Sequence, residues 1–227
     1  MGPQLITMLT NNDETVKDSF ERFDECADLP AAFWGFKDVG LPKDSMKKLV
    51  HHMKDKGKTT FLEVVTLSEQ ECLDGAKLAL DCGFDYLMGT VFHDSVFRLM
   101  KGKSTKFFPF AGKVSGHPSI LQGDIPWVVA DGNRMEKLGV DGFDLLAYRY
   151  TADAVALSAA FIKGVSVPVV MAGSVDGYKR LDEVKKLSPW AFTIGSAFFA
   201  RKFKPGGSFR DQMAAVLEYV AGGIPGR

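Results

Sequence analysis

Two segments near the end of the chain, VPVVMAGSV at Val167–Val175 and FTIGSAFFA at Phe192–Ala200, decide the fold. Each is an apolar run that stops at a Gly-Ser dipeptide. Both follow one grammar: a buried strand, a loop of bare backbone, then a helix start. In an eight-stranded α/β barrel, two consecutive strands that end this way can cradle a phosphate group. A phosphorylated ligand therefore enters the reading before any catalytic residue.

Working outward, short apolar or β-branched runs alternate with longer stretches of helical periodicity. The strand candidates are Leu5–Leu9, Ala32–Phe36, Thr60–Val65, Tyr86–Gly89, Lys106–Phe110, Phe143–Tyr148, Val167–Met171 and Phe192–Ile194. Helix candidates fall between them at Thr15–Cys26, Lys43–Lys54, Asp94–Met100, Trp127–Leu138, Asp153–Ile162 and Tyr178–Leu187. A further helix opens at Ser68, where Glu71 completes a capping box, and Ser208–Val220 closes the series. Strict alternation implies parallel strands joined by helical crossovers. An α/β fold follows, a (β/α)8 TIM barrel spanning 1–227 as one domain, with 221–227 expected to be a loose tail. An open doubly wound sheet would call for a glycine fingerprint after the first strand, and Thr10-Asn11-Asn12-Asp13 has none.

Composition bounds the function. The 28 basic residues balance the 28 acidic ones, so no global field favours nucleic acid or an anionic membrane. Cys26, Cys72 and Cys82 have neither disulfide-framework nor zinc spacing and read as free thiols in a reducing compartment. No signal peptide is apparent, and no apolar run approaches about 18 residues. A cytoplasmic chain without a membrane or nucleic-acid partner is expected, with homo-oligomerisation through helical faces left open.

Barrel enzymes work at the C-terminal ends of their strands, and side-chain parity sorts those ends. Glu63 shares a face with Phe61 and Val65, and Lys37 shares one with Gly35 and Phe33. Lys113 goes with Ala111 and Pro109, and Arg149 goes with Ala147. One carboxylate and three cations thus converge on a single rim. Opposite them, Gly173-Ser174 and Gly195-Ser196 offer backbone N–H groups and hydroxyls to phosphate oxygens.

The stretch VPVVMAGSVDGYKRLDEVKKLSPWAFTIGSAFFARKF resembles the strand-seven and strand-eight region of the ribulose-phosphate-binding barrel superfamily. The resemblance covers about 35 residues and implies a phosphosugar-like substrate, with Gly173, Ser174, Gly195 and Ser196 as phosphate ligands. It does not fix the reaction, because that superfamily holds epimerases, isomerases, decarboxylases, aldolases and synthases. The Asp-x-Lys-x-x-Asp set of the decarboxylases is absent, as are the paired His and Asp ligands of the metal-dependent pentose epimerases.

Two chemistries fit these residues. In one, Glu63 removes a proton beside a carbonyl while Lys37, Lys113 or Arg149 stabilises the oxyanion. In the other, Lys113 (favoured for the open backbone around Gly112 and Ser115-Gly116) or Lys37 forms an imine, with His117 as proton shuttle. These give an isomerase or a lyase without metal or other cofactor. A metal-assisted route through Glu63, His93, Asp94 or His117 matches no recognised spacing. A barrel that binds a phosphorylated ligand without turnover is the remaining alternative.

Overall fold

The computed structural model describes residues 2–116 and 118–222. Eight strands form the central sheet: β1 Gln4–Met8, β2 Phe33–Lys37, β3 Thr59–Val64, β4 Tyr86–Gly89, β5 Lys106–Phe108, β6 Phe143–Leu145, β7 Val169–Met171 and β8 Ala191–Ile194. Their order is β6-β7-β8-β1-β2-β3-β4-β5, every pairing parallel. The ends meet where the Asp144 N–H donates to the Pro109 carbonyl at 3.1 Å and the Asp141 N–H to the Phe107 carbonyl at 3.1 Å. The sheet is therefore a (β/α)8 barrel, as the strand count implies.

The outer layer is α1 Ser19–Cys26, α2 Lys43–Asp55, α3 Glu69–Cys82, α4 Asp94–Met100, α5 Ile125–Leu138, α6 Ala154–Gly164, α7 Tyr178–Leu187, α8 Ser196–Phe199 and α9 Phe209–Val220. Their starts are written in the sequence. Ser68, Asp124, Asp153 and Ser208 each accept a backbone N–H of the first turn, and Ser208 with Asp211 forms a full capping box. No described helix is long and apolar enough to cross a membrane.

Three boundaries depart from the sequence expectation, each for a local reason. Thr15, expected to begin the first helix, instead pairs in a hairpin of Thr10–Asn11 with Glu14–Thr15, and α1 starts at Ser19. Pro109 has no N–H for the ladder, so β5 stops at Phe108. The chain then turns at Gly112, with φ of 81°, into an unforeseen hairpin of Lys113–Ser115 with Ile120–Gln122. β6 ends at Leu145, and Ala147–Arg149 forms a 3-10 turn where a strand was expected. Of the expected loose tail, 223–227 lies outside the described residues.

Strand parity divides the apolar core in two. One half lies between sheet and helices. The other fills the barrel with Ile6, Met8, Phe61, Met88, Phe108, Val170 and Ala191. At the N-terminal end the Trp190 ring lies 5.2 Å from Phe33, 5.5 Å from Tyr86 and 5.6 Å from Phe108. This aromatic plug fills that end, which leaves the opposite rim for a ligand. In the outer core Trp34 is 0% exposed, sits edge-on to Phe23 at 4.9 Å and donates its indole N–H to the Ala31 carbonyl. Replacing it with alanine removes the packing and leaves a cavity. Trp34→Ala is expected to cost about 3–5 kcal/mol in urea unfolding, and a loss below about 1 kcal/mol would show that the outer core closes over the gap.

Candidate active site

A cleft of about 290 Å³ opens at the C-terminal ends of the strands. Its floor begins with Lys37 at the end of β2 and Glu63 on β3, which are direct partners across the sheet. Room for the lysine comes from Gly35 below it: a Cβ there would lie 2.7 Å from Met8 Sδ and 3.0 Å from the Phe61 carbonyl. Lys37 is 7% exposed, and its Nζ donates to Asp13 Oδ1 at 2.8 Å. Burial pulls the ammonium pKa down, but Glu63 and Asp13 more than reverse this, and the net displacement is upward. The lysine is thus a fixed cation at neutral pH.

Asp144 lies deeper, on β6 at the seam where the barrel closes. It is fully buried, and neither carboxyl oxygen has a regular hydrogen-bond partner among the described residues. Burial raises its pKa well above the usual carboxylate range; Glu63 adds to this, while Lys37 and the Gly89 amide oppose it. The Asp144 carboxyl is thus biased toward its neutral form beneath an ionic floor. Asp38, next to Lys37, is pushed up to about 6 by burial, with its backbone hydrogen bond and Lys37 opposing.

The other end of the cleft is bare backbone. Gly173 and Ser174 follow β7 with φ of 84° and 67°, the left-handed region. A Cβ on Gly173 would stand 2.9 Å from Arg149 Cγ, so the glycine lets that side chain lie flat against the loop. A Cβ on Gly195 would stand 2.8 Å from the Thr10 carbonyl. Ser196 then opens α8, whose first amides have no partner within the helix. Arg180 braces the loop: its guanidinium donates to the Ser174 carbonyl and to Asp176 Oδ1 at 2.9 Å, and stacks 4.7 Å over the Tyr148 ring. Lys202 adds a further cation to the lining.

Of the residues singled out from sequence, Lys37, Glu63, Arg149, Gly173, Ser174, Gly195 and Ser196 all line this one cleft. Lys113 does not. The turn at Gly112 carries it onto the hairpin, where it is exposed. His117 lies outside the described residues. His93 meets the Leu67 carbonyl at 3.2 Å, and the described residues hold no group of three or more His, Cys, Asp or Glu placed to share a metal.

Sequence reasoning missed Asp13, Asp144 and Lys202. Asp144 was legible in principle, since it shares parity with Leu146, which lines the cleft. Parity was counted instead from Arg149 and Ala147, which lie on the 3-10 turn beyond the strand. Asp13 carried a weaker signal, an acid in a turn, and gained meaning only when the hairpin put it against Lys37.

No protein-family model matches this chain, and no curated protein matches it in sequence. Solved structures do. Orotidine 5′-phosphate decarboxylase from Pyrococcus horikoshii superposes with a TM-score of 0.69 at 11% identity, over 96% of this chain and 100% of that one. A structure described as native KDPGal gives a TM-score of 0.67 at 13% identity, over 94% and 92% of the two chains. A glycerol uptake operon antiterminator regulatory protein from Listeria monocytogenes gives 0.58 at 13% identity, over 85% and 91%. These likenesses show the (β/α)8 barrel fold, which the alternation of strands and helices implied, and the fold alone.

The two displaced acids set a pH dependence. Each has a folded pKa above its unfolded value of about 4, so the native state binds more protons between those values and stability falls as pH rises through the window. For Asp38 the fall ends near its folded value of about 6, and Asp144 acts in the same direction. Asn at position 144 keeps a neutral polar group there. The urea midpoint of Asp144→Asn is therefore expected to gain on the wild type as pH rises from 5 to about 8; parallel curves would mean that Asp144 does not titrate in this range.

Proposed function

We propose that this chain is an enzyme acting on a small phosphorylated sugar or a related phosphorylated carbonyl compound, by carboxylate and lysine acid–base chemistry. The observation that carries the reading is that one cleft joins both Gly-Ser loops to the Lys37–Glu63 pair. The loops after β7 and β8 hold the phosphate through backbone amides and the Ser174 and Ser196 hydroxyls, with Arg149 and Lys202 adding charge. Binding energy from this remote group places the carbonyl carbon over the floor.

There Glu63 accepts the proton on the carbon next to the carbonyl, and the electron pair moves to the carbonyl oxygen facing Lys37. The ammonium stabilises that oxyanion at the moment it forms. Return of the proton to the former carbonyl carbon, with the hydroxyl proton of the adjoining carbon passing to the oxyanion, gives isomerisation, and delivery of a solvent proton to the opposite face of the original carbon gives epimerisation. A lyase uses the same pair when Glu63 takes a hydroxyl proton and a carbon–carbon bond breaks toward the oxyanion. The imine route has less support: Lys37 is held protonated by two carboxylates, and Lys113 is exposed on the hairpin.

Orotidine 5′-phosphate decarboxylase among the structural neighbours supports an enzyme reading, and the antiterminator regulatory protein supports a ligand-binding one. A panel of aldose, ketose and keto-acid phosphates, followed by NMR for exchange of carbon-bound protons with deuterium oxide, separates them. The wild type is expected to exchange at least one compound. Glu63→Gln should slow that exchange at least about 100-fold, and Lys37→Met about 100-fold or more, while Ser196→Ala should chiefly raise KM. Phosphate binding with no exchange across the panel would favour the regulator, and undiminished exchange in Glu63→Gln would remove it as the base.

A further inference from the structure

The hairpin after β1 touches both ends of the cleft. At its base, Thr15 Oγ accepts the Lys37 N–H at 2.9 Å and donates to the Lys37 carbonyl at 2.7 Å. At its tip, Asn12 and Asp13 have φ of 50° and 65°, and the Asn12 N–H donates to Ser196 Oγ at 3.1 Å. One short element therefore fixes Asp13 between the phosphate loops and the reactive floor.

Asp13 Oδ1 faces two cations on unequal terms. Lys37 Nζ is 2.8 Å away and 8% exposed. Arg149 is 3.7 Å away and 26% exposed, beyond the usual span of a charge-assisted hydrogen bond. The stem of Arg149 is pinned against Gly173, so its guanidinium already stands beside the phosphate loop. It is anchored at the stem and loosely held at the head.

We propose that Asp13 is a resident counter-anion for Arg149 that a ligand phosphate displaces. This rests on the phosphate reading of the Gly173 and Gly195 loops. On binding, the guanidinium turns from one carboxylate oxygen to two phosphate oxygens, a bidentate pairing with more charge, and Asp13 is left to Lys37. The exchange also selects a class of ligand. A ligand carboxylate merely replaces one monoanion by another at Arg149, whereas a phosphate monoester brings additional charge. Asp13 thus makes the cleft discriminate for phosphate esters over carboxylates, at a cost in phosphate affinity.

Isothermal titration of inorganic phosphate into the full chain tests this. Asparagine tolerates a left-handed turn, so Asp13→Asn should keep the hairpin, and Asp13→Gly, which accepts the same φ, must behave alike. Both are expected to bind phosphate about 10-fold more tightly than the wild type and to lose selectivity against acetate. In an Arg149→Gln background the gain should vanish, since the competition is for that guanidinium. Equal or weaker binding by both Asp13 variants overturns the proposal while wild-type binding upholds the phosphate site. A gain that persists without Arg149 overturns it as well, because it would reflect only the removal of a negative charge. Absence of phosphate binding by the wild type and every variant overturns the site and the proposal together.

Discussion

A charged amine inside a packed barrel is the constraint around which the rest of this molecule is arranged. Removing an ammonium from water costs several kcal/mol unless charges and hydrogen bonds replace the water. Lys37 meets that demand with Asp13 at 2.8 Å and with Glu63 as its neighbour across the sheet. Gly35 leaves the volume the stem needs, because any larger residue would run into Met8 and the Phe61 backbone. Thr15 clamps both backbone groups of Lys37, which fixes where its side chain leaves the strand. The aromatic plug around Trp190 keeps the opposite end of the barrel apolar, so the ionic groups gather at the rim where a ligand arrives.

The same constraint explains the contrast among the acids of one barrel. Asp13 and Glu63 face the cleft and a cation, and they supply the negative charge that offsets Lys37. Asp144 lies fully buried on β6, where burial first and the nearby Glu63 second push its carboxyl toward the neutral form. A further ionised carboxylate at that depth would add negative charge where no cation pairs with it directly. The acids of one barrel are thus set apart by depth and by their partners.

Much of this was legible in the sequence because the signals were periodic or stereochemical. Alternating strand and helix textures gave the eight-unit barrel, and the Ser68–Glu71 capping signal marked where α3 opens. Alternation along TFLEVV and FWGFK put Glu63 and Lys37 inside, and the glycines of the last two strands marked the bare-backbone end. What escaped was whatever depended on where a strand stops. Parity carries meaning only along an unbroken strand, and β6 gives way to a 3-10 turn after Leu145. Counting back from Arg149 therefore passed over Asp144. Extending β5 past Pro109 likewise sent Lys113 toward the rim, when the turn at Gly112 takes it to an exposed hairpin. Turn geometry, with its left-handed residues at Asn12 and Asp13, is local and tolerant of many sequences, and it left no comparable trace.

Topology gives the β1 loop its place in the site. In the closed sheet β1 lies between β8, whose end carries the Gly195 loop, and β2, whose end carries Lys37. A loop leaving β1 is thus adjacent to both ends of the cleft, whereas the loops after β4 and β5 start on the far side of the ring. A hairpin of six residues from Thr10 to Thr15 spans the gap through hydrogen bonds to Ser196 and Lys37 and the Asp13–Lys37 ion pair. Its strength lies in the rigidity of its two attachments. Ser196 and Lys37 sit on barrel elements that cannot shift without disturbing the core, so the tip residue is held against charges whose positions the barrel sets. A single acidic side chain at that tip therefore stands between Lys37 and Arg149 in a position the barrel sets.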